Sequence, residues 1–248
     1  MQISIEGKTA LVTGAAGTMG AAAARALLAE GANVVLVDVD GDRLAELSEN
    51  LGEKSIPLVL DVTDTEAIER DLAGLPDPMR AIDILVNNAG ILSNNKSQTT
   101  SLEEWRRVLD INLNGMFYLS RAIIPGMTAR GWGRIINVAS LAAQTGGITA
   151  GTAYSTSKGG VISLTRSLAA ETAGSGVTAN AIAPAYVKTP MITEQLTETE
   201  QQRILEKIPV GRFCEPEEFA HVVLFLASGL SGFITGEVIN ANGGLYFN

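Results

Sequence analysis

Five apolar runs, at residues 34–37, 56–60, 82–86, 134–139 and 177–182, are separated by segments of helix length. They are rich in Val, Ile and Leu and lack the apolar–polar alternation that a strand with one wet face shows. Strands covered on both faces belong to parallel sheets, whose connections cross over through helices packed above and below. No Pro/Ser-rich linker, low-complexity block or repeat divides the 248 residues, of which 46% are hydrophobic. One doubly wound α/β domain spanning 1–248 is therefore expected.

A strand-like stretch, Lys8–Val12, leads into Thr13-Gly14-Ala15-Ala16-Gly17-Thr18-Met19-Gly20, and an Ala-rich helix is expected over 21–30. A strand, a turn of small residues and a helix start make a phosphate site. Exposed N–H groups and the helix dipole attract the anion, and missing side chains let it approach. The next strand ends at Asp38. A carboxylate there accepts hydrogen bonds from both hydroxyls of an adenosine ribose and repels a 2′-phosphate. No Arg or Lys stands at Val39 or in the glycine turn, so the pattern favours NAD over NADP. An acidic residue can also simply end a strand; the glycine turn before it favours the ribose role.

The run Arg134-Ile135-Ile136-Asn137-Val138-Ala139 ends at Ser140, at the carboxyl end of an expected strand, where open α/β sheets place their chemistry. A loop of small residues through Gln144, Gly146 and Gly147 then returns the chain to Tyr154-Ser155-Thr156-Ser157-Lys158. Tyr154 and Lys158, one helical turn apart, share a face. A free phenol, with pKa near ~10, carries protons poorly at neutral pH. An ammonium about 4 Å away contributes on the order of 4 kcal/mol at an effective dielectric near 20, with burial acting against it. The expected net result is a tyrosine pKa lowered toward the range of general acid–base catalysis. Each feature has an ordinary alternative, Ser140 as a turn hydroxyl and Tyr154/Lys158 as a solvated helix face. Only the combination is specific.

These motifs, with Asp61-Val62, Asn87-Asn88-Ala89-Gly90, Asn112, and Pro184 with Thr189, recur in an order that resembles the short-chain dehydrogenase/reductases over essentially the full length. The resemblance implies a single Rossmann-type domain with a central, mostly parallel seven-stranded sheet, and hydride transfer with a nicotinamide cofactor. It implies Tyr154 as catalytic acid/base, Ser140 as hydrogen-bond partner of the substrate oxygen, and Lys158 as the group that lowers the tyrosine pKa and binds the nicotinamide ribose. Asn112 would hold a water linking Lys158 to solvent. Gly14, Gly17, Thr18, Met19 and Gly20 would surround the pyrophosphate, Asp61 and Val62 the adenine, and Asn88, Ala89 and Gly90 the central ribose. Pro184, Val187 and Thr189 match the nicotinamide end. Two departures stand out: Thr18 replaces the middle glycine of the family turn, and Ala185 replaces the glycine after Pro184.

For the substrate, Gln144, Leu141 and Ile148 follow Ser140, Leu92 and Asn94 follow the Asn-Asn-Ala-Gly turn, and Tyr186 and Met191 begin a segment, about 186–213, that the resemblance places over the site as a lid. Its stretch 197–206 reads as an ordinary surface helix. Amides beside aliphatic groups suit a secondary alcohol of diol, polyol, sugar or hydroxy-ketone type and its ketone, with no evident Arg pair for a carboxylate. A rival reading is a 3-oxoacyl-[acyl-carrier-protein] reductase, to which Ile208–Arg212 and Gly236…Gly243-Gly244 look similar; such enzymes usually prefer NADPH and carry basic residues near the ribose, against Asp38. A second rival is a non-catalytic dinucleotide-binding module, which has no need for all of Asn112, Ser140, Tyr154 and Lys158.

A net charge of −9 with scattered basic residues disfavours nucleic acid and anionic membranes. Charged residues interrupt every apolar run, so no bilayer span is expected, and the start of the chain passes almost directly into a strand, so neither is a signal peptide. One cysteine, Cys214, suits a cytoplasmic setting. With it and the lone His221 there is no metal-ligand cluster, and His221 reads as a packed or surface residue. The helices expected over 102–130 and 152–173 resemble those between subunits of family homotetramers, although Val161, Leu164 and Leu168 could equally be core.

Overall fold

The computed structural model describes residues 5–147, 150–194 and 197–247. The elements run β1 (Thr9–Thr13), α1 (Thr18–Ala29), β2 (Asn33–Asp38), α2 (Gly41–Leu51), β3 (Ser55–Val59), α3 (Thr65–Ala73), β4 (Ile84–Asn87) and α4 (Leu102–Leu109). A π-helical turn (Asp110–Asn114) joins α4 to α5 (Gly115–Arg130), followed by β5 (Gly133–Val138), α6 (Ala142–Thr145) and α7 (Thr152–Thr172). The chain closes with β6 (Val177–Pro184), α8 (Pro190–Thr193), α9 (Glu198–Leu205), α10 (Pro216–Ala227) and β7 (Val238–Ala241).

One seven-stranded sheet, in the order β3-β2-β1-β4-β5-β6-β7, carries the fold. Every pairing is parallel, so "mostly parallel" becomes all parallel. Successive residues of the central strands point to opposite faces, and both faces are covered. Ala10, Val12, Val34, Leu36, Ile84 and Val86 pack beneath α1, α2 and α10. Leu11, Val35, Val37, Leu85 and Ile135 pack beneath α3, α5 and α7. The sequence direction of strands reverses between β1 and β4, and the crevice beyond their carboxyl ends is where such sheets bind ligands.

Several boundaries move from the expected ones, each for a physical reason. The run 56–60 shifts by one residue to an edge strand of alternating burial, and Pro57, which has no N–H to give a further strand, is tolerated there. The run 82–86 becomes β4 only from Ile84, because Asp83 turns its carboxylate to Thr9 N (3.2 Å) and Lys8 Nζ (3.7 Å). The expected helix 102–130 contains the π-helical turn, which adds one residue and rotates Asn112 inward to full burial. Val161 and Leu168 are buried core and Leu164 packs against it. His221 is exposed on α10, and no group of three or more His, Cys, Asp or Glu among the described residues could hold a metal. Among the described residues no helix is long and apolar enough to cross a membrane.

Candidate active site

The glycine turn is built by one hydroxyl. Thr13 Oγ1, at the end of β1, accepts from Asn88 N and Ala89 N, both at 2.9 Å, while Asn88 Nδ2 donates back to Thr13 O at 2.9 Å and Gly14 O at 3.2 Å. This knot ties the Asn-Asn-Ala-Gly turn after β4 to the glycine turn after β1. Gly14 has φ +65°, and a Cβ there would lie 2.9 Å from Asn88 Nδ2; a Cβ on Gly20 would lie 2.2 Å from Gly14 O. Both must be glycine for the turn to close. Helix α1 starts at Gly17–Thr18 with no side-chain cap, so its first N–H groups remain for an anion. A Cβ on Gly17 would meet only Gly14 O, at 3.4 Å. Thr18 therefore sits at the first helical position beside an open cradle that fits a pyrophosphate.

Asp38, at the end of β2, joins the same crevice. Its Oδ2 accepts from Ala16 N (3.1 Å) and its Oδ1 from Val39 N (2.8 Å) and Asp40 N (3.2 Å). Arg43, the next basic residue along, pairs instead with Asp40 at 3.4 Å. Asp61 turns its carboxylate into its own loop, bonding Thr63 N and Oγ1 at 2.9 and 2.8 Å, and leaves the buried Val62 as the apolar wall.

At the end of β5, Lys158 is buried and its Nζ donates to Val138 O at 2.7 Å. Asn112 accepts from Ile91 N (2.8 Å) and donates to Ile91 O (3.0 Å) and Ser157 Oγ (3.1 Å). Gly90 sits between the two side chains: a Cβ there would lie 3.1 Å from Asn112 Oδ1 and 3.4 Å from Lys158 Nζ. Ser140 Oγ accepts from Ala142 N at 3.1 Å, so the turn-hydroxyl role is realised as well. Its hydroxyl also stands beside Tyr154.

One electrostatic expectation is corrected. Lys158 Nζ lies 5.9 Å from the centre of the Tyr154 ring, and the tyrosine pKa is raised, not lowered. Burial of the phenol dominates, and the Ser140 hydroxyl, which stabilises the phenolate, only opposes it. Burial also lowers Lys158, to about 8. Desolvation outweighs the attraction that the spacing suggested.

Toward the substrate, Leu141 N bonds Pro184 O at 2.9 Å, joining the ends of β5 and β6. Tyr186 O, Val187 and Lys188 N pair with Cys214, Lys188 Nζ bonds Glu215 at 3.1 Å, and the Tyr186 and Phe213 rings stand 6.5 Å apart. This clasp closes the base of the 186–213 segment and buries Val187. Thr189 takes the N-cap position of α8 without a side-chain cap bond, and α9 is a surface helix with a Thr197/Glu200 capping box. Gln144 is partly buried with Oε1 unpartnered. Leu92 and Asn94 are exposed. Ile148 and the Met191 side chain lie outside the described residues. Sequence reasoning read Thr13 only as the start of the glycine turn and not as the tie between the two turns, since its partners are some 75 residues away.

A dinucleotide turn joined to a hydroxyl–phenol–ammonium set defines a nicotinamide-dependent oxidoreductase, and the chain belongs to the short-chain dehydrogenase/reductase family. Residues 14–246 match the family model described as "Enoyl-(Acyl carrier protein) reductase". The chain is 42% identical, over 98% of its length and 99% of the relative's, to the 3-oxoacyl-[acyl-carrier-protein] reductase FabG of Vibrio harveyi. Among solved structures, a putative gluconate dehydrogenase from Agrobacterium tumefaciens superposes with TM-score 0.93 at 33% identity, covering 99% of this chain and 98% of its own. A 3-oxoacyl-[acyl-carrier protein] reductase with bound NAD from Brucella melitensis gives 0.91 at 32% identity, covering 100% and 94%.

Proposed function

We propose that the protein reduces the 3-oxo group of an acyl thioester to a secondary alcohol with NADH. The observation that carries this reading is the full-length 42% identity to a 3-oxoacyl-[acyl-carrier-protein] reductase. It displaces the expected diol, polyol or sugar substrate in favour of the rival reductase reading. The placement of Tyr154 suits this chemistry. Its phenol stands beside the Ser140 hydroxyl, so both can reach one carbonyl oxygen, and the phenol can give that oxygen a proton.

Gly14, Gly17, Thr18, Met19 and Gly20 hold the pyrophosphate, Asp61 and Val62 the adenine, and Asn88, Ala89 and Gly90 the central ribose. Tyr154 and Lys158 hold the nicotinamide ribose, and Pro184, Val187 and Thr189 the carboxamide end. When bound, the cofactor supplies the hydride to the carbonyl carbon. Ser140 and Tyr154 hydrogen-bond the carbonyl oxygen, Tyr154 gives it a proton, and Lys158 with Asn112 restores that proton from solvent. Asp38 selects NADH, since a carboxylate repels a 2′-phosphate; the NAD-bound Brucella reductase shows that a relative of this kind takes that cofactor. The setting is cytoplasmic, and the assembly is a homotetramer with α4–α5 and α7 between subunits.

The test is a rate comparison. Acetoacetyl-coenzyme A with NADH is expected to exceed the same substrate with NADPH, and Asp38→Ser is expected to shift the preference toward NADPH by roughly tenfold, about 1.4 kcal/mol. A wild-type NADPH preference would overturn the cofactor assignment. Gluconate oxidation faster than thioester reduction would favour the second reading, a gluconate-type substrate, which the Agrobacterium structure supports.

A further inference from the structure

Tyr154 lies in the first turn of α7, yet α7 does not cap itself. Its N-cap is Gly151, which offers no side chain to accept from the first N–H groups. The missing acceptors come from the loop 91–96, far away in sequence. Gly151 N donates to Ser93 O at 2.7 Å and Thr152 N to Asn95 O at 3.0 Å. The approach is close enough that a Cβ on Gly151 would lie 2.6 Å from both carbonyl oxygens. The loop is thus the N-terminal cap of the catalytic helix.

The loop is itself held. Asn112 pins its start through Ile91. In its middle, Glu104 of α4 accepts from the buried Ser93 Oγ at 2.6 Å and from Asn95 Nδ2 at 2.8 Å. These two bonds hold the Glu104 carboxyl below its usual range, so it is a full acceptor at neutral pH. Its two oxygens grip the two residues whose carbonyls cap α7. Leu92 and Asn94, on the same loop, face outward.

We propose that Glu104 is a positioning residue for carbonyl reduction. By gripping Ser93 and Asn95 it fixes the loop that caps α7, and so the turn that presents Tyr154 to the substrate oxygen. The proposal rests on Tyr154 being the proton donor. It follows from the intolerance of catalysis to slack in the reacting geometry, where about 1 Å of misplacement can cost on the order of 100-fold.

The test compares Glu104→Ala, Glu104→Gln and Ser93→Ala, with Tyr154→Phe as reference, using NADH and acetoacetyl-coenzyme A. Glu104→Ala should lower kcat roughly 10- to 100-fold while NADH affinity and thermal midpoint stay near wild type. Glu104→Gln, keeping one acceptor oxygen, should fall between. Ser93→Ala combined with Glu104→Ala should lose less than the product of the single effects, since both cut one contact. An unchanged kcat in Glu104→Ala beside an inactive Tyr154→Phe overturns the brace alone. A parallel fall of kcat and NADH affinity also overturns it, because that reports general loosening. Full turnover by Tyr154→Phe overturns the tyrosine assignment and the brace with it.

Discussion

Lys158 is a buried cation whose Nζ bonds a backbone carbonyl, Val138 O, and burial brings its pKa from 10.5 to about 8. Between those two values the unfolded chain binds more protons than the folded one, so this group makes stability rise as pH rises through the window. Below about pH 8 the full penalty of burying the charge is present. Replacing Lys158 with Met should therefore abolish turnover yet raise stability at neutral pH, by on the order of 1–3 kcal/mol after loss of the Val138 bond. The gain should shrink at alkaline pH, as read by urea unfolding; a less stable variant at neutral pH would contradict it. Reduction by the wild-type enzyme should be level at neutral pH and fall as Lys158 loses its proton above about pH 8. At this scale the sequence exposed what is local in the chain. Tyr154 and Lys158 share a face by spacing alone, but the direction of the tyrosine shift depends on burial, which spacing does not carry. Nor could the sequence show what Thr13 and Glu104 tie together, since their partners arrive through folding.

The elements under the site are joined by a buried polar ladder. Asn87 of β4 and Asn137 of β5 are register partners; Asn87 Nδ2 donates to Asn137 Oδ1 at 2.8 Å, and Asn137 Nδ2 donates to Thr165 Oγ1 of α7 at 2.9 Å. Together with the Lys158–Val138 bond, the ladder fastens α7 to β5 at two heights. Asn137→Ala leaves one Nδ2 hydrogen of Asn87 without its partner in a dry core, the other still reaching Ser120 Oγ at 3.3 Å, and opens a small cavity, so it should destabilise by roughly 2–4 kcal/mol in denaturant unfolding. A loss below about 0.5 kcal/mol, the range of neutral surface changes, would contradict the ladder. Central strands were legible because both their faces are apolar. The edge strands were less so: β3 alternates and holds Pro57, and β7 is four residues, ending in Asn240-Ala241. The π-helical turn at Asp110–Asn114 left no mark in the apolar period, although it turns Asn112 inward.

At the scale of the molecule, parallel pairing and double coverage followed from composition of the runs, whereas strand order did not, because crossover connections of similar length serve several orders. The substrate was the least legible feature: the wall residues are small amides and aliphatics, and full-length kinship redirected the reading from polyols to 3-oxoacyl thioesters. Phe117 stands exposed on α5, and Leu230, Phe233 and Phe225 around the end of α10 on the other face of the sheet, apolar side chains suited to burial between subunits. Light scattering should give a tetramer; a monomer at micromolar concentration would contradict the assembly. The account turns on the phenol as proton donor, and Tyr154→Phe tests it with one atom removed. With NADH and acetoacetyl-coenzyme A, turnover should fall by about 10²–10⁴-fold while NADH binds as in the wild type. Turnover at the wild-type rate would contradict the mechanism.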